Sequence, residues 1–394
     1  MSPPSTELPT VGVVIPNFNG RVHLEPLFES LDALEYPREA LKIIVVDNGS
    51  TDGSKKYLRQ RHPQVRLVAY EMNHGFATAC NAGVQEAPDC EIVVFLNNDM
   101  RVEPNWLKAL IDPITEGRAQ ATSSRLMSWD GQVVDFAGGG MNFHGIGIQQ
   151  GYLEEVGPEH LREKPCLFPC GGSGAVVRST FQDSGGFDED YFAYYEDVDL
   201  GWRLWILGHK VLYVPTSVAY HHHAATARTF GYEHVRVLQM RNPLYTILKC
   251  YEASHLAKVF PVALLLSLRR TMYMAGLDEA PFRIERAGAR RTGGMRDLLF
   301  RMRQEMDDRI PVNKLALADL VAYQDVIDNM SRTLAKREEI QKQRKRPDTE
   351  IFPLFHDPMW VVEPPDEYRR LQNLLSDFFG VDTLFSGSGG NGHK

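Results

Sequence analysis

Three short clusters along this sequence have the residue types and spacing that chemistry needs. The first is Asn97, Asn98 and Asp99, which follow an apolar run, Ile92 to Leu96. A carboxylate emerging from such a buried run is well placed to hold a hard cation, Mg2+ or Mn2+ with oxygen ligands. Mg2+ takes only one or two protein carboxylates and fills its octahedron with water and substrate phosphates, so this sparse set suits a diphosphate ligand. The same residues also make an ordinary turn that caps the segment beginning near Pro104. The second cluster, Glu196, Asp197 and Asp199, opens a helical pattern, where acids gain about 0.3 to 1 kcal/mol each from the helix dipole. One of them can instead serve as a general base. The preceding Tyr191, Phe192, Tyr194 and Tyr195 offer rings that stack on sugars and exclude water. The third cluster is His221, His222 and His223, a surface run or a source of one metal ligand. In an extended segment neighbouring side chains point to opposite faces, so at most two can face one site.

These clusters need a scaffold, and the first hundred residues supply a pattern for one. Short β-branched runs, Val11 to Ile15, Lys42 to Val46, Val65 to Tyr70 and Glu91 to Leu96, alternate with helical patterns over Val22 to Leu34, Ser54 to Arg61 and Phe76 to Glu86. That is the rhythm of βαβ units, which predicts an α/β fold with a mainly parallel, Rossmann-like sheet flanked by helices. Such sheets bind ligands at the carboxyl ends of their strands. Three strand ends here are polar: Pro16, Asn17 and Asn19; Asp47 to Asp52; and Asn97 to Asp99. One rim could hold them all, although turn chemistry accounts for each alone. Asn73, Gly75, Asn81 and Gly83 belong to a small-residue segment that admits either a flat base or tight packing on the sheet. Neither a G-x-G-x-x-G turn after the first strand nor a phosphate-binding P-loop is present.

Further along, Gly138 to Gly151 reads as irregular, Gly171 to Arg178 as a turn followed by a strand, and Glu196 to Leu207 as a helix. Lys210 to Val214 reads as a strand stopped by Pro215. Helical patterns then cover Tyr232 to Cys250, Leu315 to Lys345 and Tyr368 to Phe379. The expected organisation is a flexible stretch over 1–10, an α/β domain over 11–230, a mostly helical region over 231–385 and a disordered tail over 386–394.

Composition removes several classes. With 43 Lys and Arg against 51 Asp and Glu the net charge is -8, which gives no electrostatic case for nucleic acid. Five scattered cysteines make no disulfide framework, and Cys166 with Cys170 lacks a second pair for zinc. The polar start resembles no signal peptide, so a cytoplasmic address is expected. The longest apolar run, Val259 to Leu268, is about half of the ~20 residues a membrane span needs. Arg269 to Arg346 nevertheless carries 18 basic against 12 acidic residues. A solvated helical face or a peripheral contact with an anionic membrane both account for that excess. The oligomeric state is open.

Taken together, five ordered motifs resemble glycosyltransferase family 2, in particular its bacterial rhamnosyltransferase-like branch with a GT-A fold. They are P-N-F-N-G, V-D-N-G-S-T-D-G-S, N-H-G-F-A-T-A-C-N-A-G, F-L-N-N-D and G-G-F-D-E-D-Y-F-A-Y-Y-E-D-V-D-L-G-W-R, within Val11 to Thr226. The resemblance implies an inverting transferase, with a nucleoside-diphosphate sugar of UDP or dTDP type as donor and a glycan or lipid-linked acceptor. It implies nucleotide contacts at Pro16, Asn17, Asn19, Asp47, Asn73, Gly75 and Asn81. The family's D-x-D motif falls on Asn97, Asn98 and Asp99, so Asp99 would bind Mg2+ or Mn2+ and Asn97 would contact ribose or water. Gly171 and Gly172 match a turn beneath the donor sugar. The E-D motif falls on Glu196 and Asp197, with Asp197 as base, and His221 matches a metal or diphosphate contact. A sugar-phosphate nucleotidyltransferase and a non-catalytic glycan-binding protein are the competing readings. Pro16 to Gly20 lacks the lysine of the former, and retention of Asp99 and Asp197 argues against the latter.

Overall fold

The computed structural model describes residues 8–222, 231–276, 313–362 and 366–386. The expected termini, apart from residues 8–10 and 386, and His223 lie outside the described residues. Strands β1 (Val11–Asn17), β2 (Leu41–Asn48), β3 (Arg66–Tyr70) and β4 (Ile92–Leu96) pair in parallel in the order β3-β2-β1-β4. Helices α1 (Arg21–Asp32), α2 (Ser54–Arg61) and α3 (Phe76–Gln85) are the crossovers. Parallel strands are covered on both faces and so read as continuous apolar runs. Accordingly β4, the run Ile-Val-Val-Phe-Leu, is buried throughout, whereas the edge strand β3 is only partly covered.

Beyond β4 the sheet becomes mixed. The strands β5 (Met100–Val102), β6 (Ala121–Ser128), β7 (Val134–Phe136), β8 (Gly139–Met141), β9 (Gly147–Gln149), β10 (Lys164–Pro165), β11 (Ser173–Val177) and β12 (Val211–His221) follow in sequence. β11 lies antiparallel between β4 and β6, and β12 runs parallel to β6. Helix α4 (Trp106–Thr115) anchors this half: the buried Trp106 indole donates to Ser124 Oγ at 3.0 Å and Ser173 Oγ at 2.9 Å. Pro215 does not stop the last strand as expected. β12 continues to His221, and the register shifts between Val214 and Val218, the kind of irregularity at which a residue without an N–H is tolerated. Gly138 to Gly151, expected to be irregular, contains the β8–β9 hairpin.

After α5 (Arg178–Asp183), helix α6 (Glu196–Ile206) is buried on nearly every side. The reason is a second cover, the helix Tyr232–Cys250, followed by Ala253–Ala275, Lys314–Asp328, Met330–Lys342 and Asp366–Phe379. The pattern over Leu315 to Lys345 is thus two helices meeting at Asn329. Lys249, fully buried, ties the layers together by ion pairs to Asp188 (2.6 Å) and Asp199 (2.7 Å). The result is an α/β sheet flanked by helices, with a helical C-terminal region packed on α6.

Candidate active site

Because β1, β2 and β4 are parallel neighbours, their carboxyl ends share one rim. Asn17 Nδ2 donates to Asp47 Oδ2 at 2.9 Å and to Ser50 Oγ at 3.1 Å, and Asn98 Nδ2 donates to Asn17 Oδ1 at 2.8 Å. Ser50 N–H donates to Asp47 Oδ1 at 2.9 Å. All four side chains are buried, where unpaired polar groups are costly, so they satisfy one another and set the loops above them. Asn19, at φ +50°, donates its N–H to Ser50 Oγ and accepts from Thr51 N–H, each at 2.9 Å. Pro16 is half-buried within β1, opposite Val46. A Cβ on Gly20 would fall 2.0 Å from Asn98 Nδ2, so the loop closes only over glycine.

Asn48, part of the polar end of the second strand but given no binding role of its own, holds the neighbouring loop. Its Nδ2 donates to Asn73 Oδ1 and to the Gly75 carbonyl, both at 2.9 Å, and its Oδ1 accepts from His74 N–H at 2.9 Å. Its place directly after Asp47 was the only signal. Gly75, at φ +91°, lies against Phe192, whose carbonyl a Cβ would approach to 2.5 Å. Asn81 is not gathered with these residues. Its amide pairs instead with the Phe187 backbone N–H (3.0 Å) and carbonyl (2.9 Å) and with Glu189 Oε1 (3.1 Å).

Next along the rim stands Asp99, 5% exposed. β5 pairs antiparallel with β12 so that Met100 faces His221, which brings His221 Nε2 within 3.5 Å of Asp99 Oδ1. The other ring nitrogen, Nδ1, lies 2.7 Å from Asp135 Oδ2. Asp135 is the second residue missed, since nothing in V-D-F marks it before β7 is seen to pair with β6 beside β12. Burial alone would lower the His221 pKa, but its hydrogen bonds to Asp135 and Asp99 outweigh burial and push it up to about 10. Burial would raise Asp99, yet the His221 bond and charge, with His23, bring it below its ordinary value. His222 N–H donates to the Asp99 carbonyl at 3.0 Å, while its ring packs against His23 and Trp129.

The donor set at this point fits a divalent cation. One carboxylate and one imidazole nitrogen face each other across 3.5 Å, and a carboxylate fixes the second imidazole nitrogen, the usual support of a metal-ligating histidine. Such a pair leaves most of a coordination sphere for phosphate and water.

The Gly171–Gly172 turn connects this pair to the second acidic cluster. Asn97 N–H donates to the Gly172 carbonyl at 2.9 Å, and Gly171 N–H donates to Asp197 Oδ2 at 3.0 Å. Val198 N–H donates to Asp197 Oδ1 at 2.8 Å. Burial raises the Asp197 pKa, and these N–H donors oppose the rise. Glu196 is raised much further, by burial first and then by the Asp197 charge, and its buried Oε2 has no hydrogen-bond partner among the described residues. Of the two neighbours, Glu196 is therefore held protonated to higher pH than Asp197, the ordering that suits Asp197 to accept a proton. Asp199, by contrast, is spent on Arg203 (2.8 Å) and Lys249.

The known proteins that this chain resembles are glycosyltransferases. Residues 12–177 match the family described as Glycosyl transferase family 2. The N-acetylglucosaminyl-diphospho-decaprenol L-rhamnosyltransferase of Mycobacterium tuberculosis is 33% identical over 244 residues, which span 55% of this chain and 76% of the relative. The O-antigen biosynthesis protein RfbC of Myxococcus xanthus is 28% identical over 238 residues, 56% of this chain but only 18% of that protein. Among solved structures, GalNAc-T7 with UDP, GalNAc and Mn2+ shares the fold at a TM-score of 0.53 and 19% identity, over 66% of this chain and 52% of that one. With a shared rim, an Asp–His pair and a held carboxylate on a GT-A sheet, and with a relative matched over three quarters of its length, the chain belongs to glycosyl transferase family 2 and is a glycosyltransferase.

Proposed function

We propose that the chain moves rhamnose or another hexose, with inversion, from a nucleoside-diphosphate sugar of UDP or dTDP type to a hydroxyl of a glycan or lipid-linked acceptor. The observation that carries this reading is the Gly171–Gly172 turn, which ties Asp197 to the strand end bearing Asp99 through two backbone hydrogen bonds, at 3.0 and 2.9 Å. Base and diphosphate site are thereby held in one frame. The rhamnosyltransferase relative supports rhamnose and a lipid-linked acceptor.

In this mechanism the loops fixed by Asn17, Asp47, Asn98 and Asn48 bind the nucleotide, with Pro16, Asn19, Asn73 and Gly75 lining its base and ribose and Asn97 beside the ribose. Asp99 and His221 would hold Mg2+ or Mn2+, which when bound supplies positive charge against the leaving diphosphate. Gly171 and Gly172 leave room for the donor sugar. Asp197 accepts the proton of the acceptor hydroxyl as that oxygen attacks the anomeric carbon opposite the departing diphosphate. Glu196, protonated beside it, adds no second charge to repel the base form.

No helix among the described residues is long and apolar enough to cross a membrane. We place the protein at the cytoplasmic face of a membrane as a peripheral partner, because the relative's substrate is decaprenol-linked. The test is Asp197→Asn. Loss of a general base costs about 10²- to 10⁴-fold in turnover, while calorimetry should find UDP or dTDP binding with Mn2+ unchanged. Wild-type turnover in that variant would sink the base assignment.

A further inference from the structure

The segment that delivers Asp197 is strained, and the C-terminal helices hold it. Phe192 (φ +63°), Tyr194 (φ +67°) and Tyr195 (φ +68°) all occupy the left-handed half of φ space, which bulky residues avoid. Phe192, at ψ -64°, is the centre of a tight turn in which Ala193 N–H donates to the Tyr191 carbonyl at 2.7 Å, the strained form of the γ-turn. Such a run persists only where its surroundings over-determine it. Here one side chain captures it. Asn242, fully buried in the Tyr232–Cys250 helix, directs Nδ2 to the carbonyls of Tyr191 (3.1 Å), Ala193 (2.9 Å) and Tyr194 (2.7 Å). Its orientation is fixed in turn, because Arg241 Nε donates to Asn242 Oδ1 at 3.0 Å. The same guanidinium donates to the carbonyls of Asp190 (2.8 Å) and Tyr191 (3.2 Å) and pairs with Asp325 on the Lys314–Asp328 helix. The segment also meets the first turn of α3, where Ala77 N–H donates to the Phe192 carbonyl at 3.2 Å.

From this geometry we infer that Asn242, oriented by Arg241, is a positioning residue for sugar transfer, holding the Phe192–Tyr195 segment so that Asp197 meets the Gly171 N–H and the acceptor hydroxyl. The helical C-terminal region thus completes the active site. The inference rests on Asp197 being the base. It assigns a function to strain that α6 alone has no use for, since a helix can begin without three left-handed residues before it.

The experiment measures release of nucleoside diphosphate from UDP-glucose, UDP-N-acetylglucosamine and dTDP-rhamnose, and binding of UDP and dTDP with Mn2+, by the full chain. Misplacing a reacting group by about 1 Å costs on the order of 10²-fold, so Asn242→Ala and Arg241→Gln should lower kcat about 10- to 100-fold. Nucleotide dissociation constants should stay within about threefold of wild type, and the acid limb of the pH–rate profile should move up as Asp197 loses the Gly171 N–H. The control is Tyr251→Phe, which removes a buried hydrogen bond to the Phe143 carbonyl (2.7 Å) without touching the segment. Wild-type kcat and pH profile in Asn242→Ala overturn the inference, as does an equal kcat loss in Tyr251→Phe at equal loss of Tm. If Asn242→Ala does not fold, Arg241→Gln decides alone, and wild-type kcat there overturns it. Asp197→Asn separates the two readings: full turnover in that variant defeats the base assignment. An inactive Asp197→Asn beside fully active Asn242 and Arg241 variants defeats the clamp alone.

Discussion

At Glu196 and Asp197 two adjacent carboxyls are driven up by burial, and the rise is offset more at Asp197, by the Gly171 and Val198 N–H donors, than at Glu196, which has only its own backbone N–H. A raised pKa keeps a group protonated to higher pH, and a protonated Asp197 cannot accept a proton. The rate kcat/KM should therefore fall with decreasing pH along a limb lying above the ordinary aspartate value near 3.8, seen in a pH–rate profile at saturating Mn2+. Glu196 also makes a statement about stability. Because its folded pKa lies above its ordinary value, its contribution is fully present below pH ~4.5 and is lost as pH rises through the folded value. Glu196→Gln should thus gain Tm relative to wild type as pH is raised from 5 to 8. A difference in Tm that does not change with pH would contradict the buried, protonated state.

Among elements, β12 does most to assemble the site. Its run past Pro215 delivers His221 to Asp99 by pairing with β5 and, through β6, puts β7 and Asp135 at the same ring. Removing the support of a metal-ligating histidine typically costs about 10- to 100-fold in metal affinity. Asp135→Asn should weaken Mn2+ binding by that factor, measurable by calorimetry without any sugar. Helix α6 depends on close approach: a Cβ at Gly201 would sit 2.3 Å from Phe168 Cα and 2.6 Å from the Leu167 carbonyl. These are backbone atoms that cannot rotate aside, so Gly201→Ala should cost roughly 1 to 3 kcal/mol in denaturant unfolding, as overpacking does.

For the whole molecule, the C-terminal helices and the sheet form one ionic as well as one apolar core. Lys249 lies 2.6 and 2.7 Å from Asp188 and Asp199, and Asp188 also pairs with Lys336 from the Met330–Lys342 helix. Removing one partner of such a buried set leaves a charge uncompensated, at about 3 to 5 kcal/mol. Lys249→Ala should therefore lower the denaturant midpoint by a corresponding amount. The same contacts lead us to propose that a chain ending at residue 230 does not behave as an independent enzyme.

Much of the sheet was legible in the sequence because parallel, doubly covered strands write continuous β-branched runs, and their polar ends stand out against those runs. The periodicity of Tyr232 to Cys250 was equally legible, as a helix without a purpose. The sequence by itself determined the elements from β1 to β4, the family, and the residue types available at the rim, since these rest on local pattern and motif order. The motifs assigned Asp99 and His221 to one metal or diphosphate site. Tertiary structure alone decided how the two come to face each other, that Asp135 pairs with the His221 ring and Asn48 with the Asn73–Gly75 loop, that Asn81 pairs with the Phe187 backbone, and that Asn242 reaches the segment before Asp197. Each of these joins residues 25 to 122 positions apart. Strand pairing and the burial of polar groups set such contacts, and no local spacing along the chain records them.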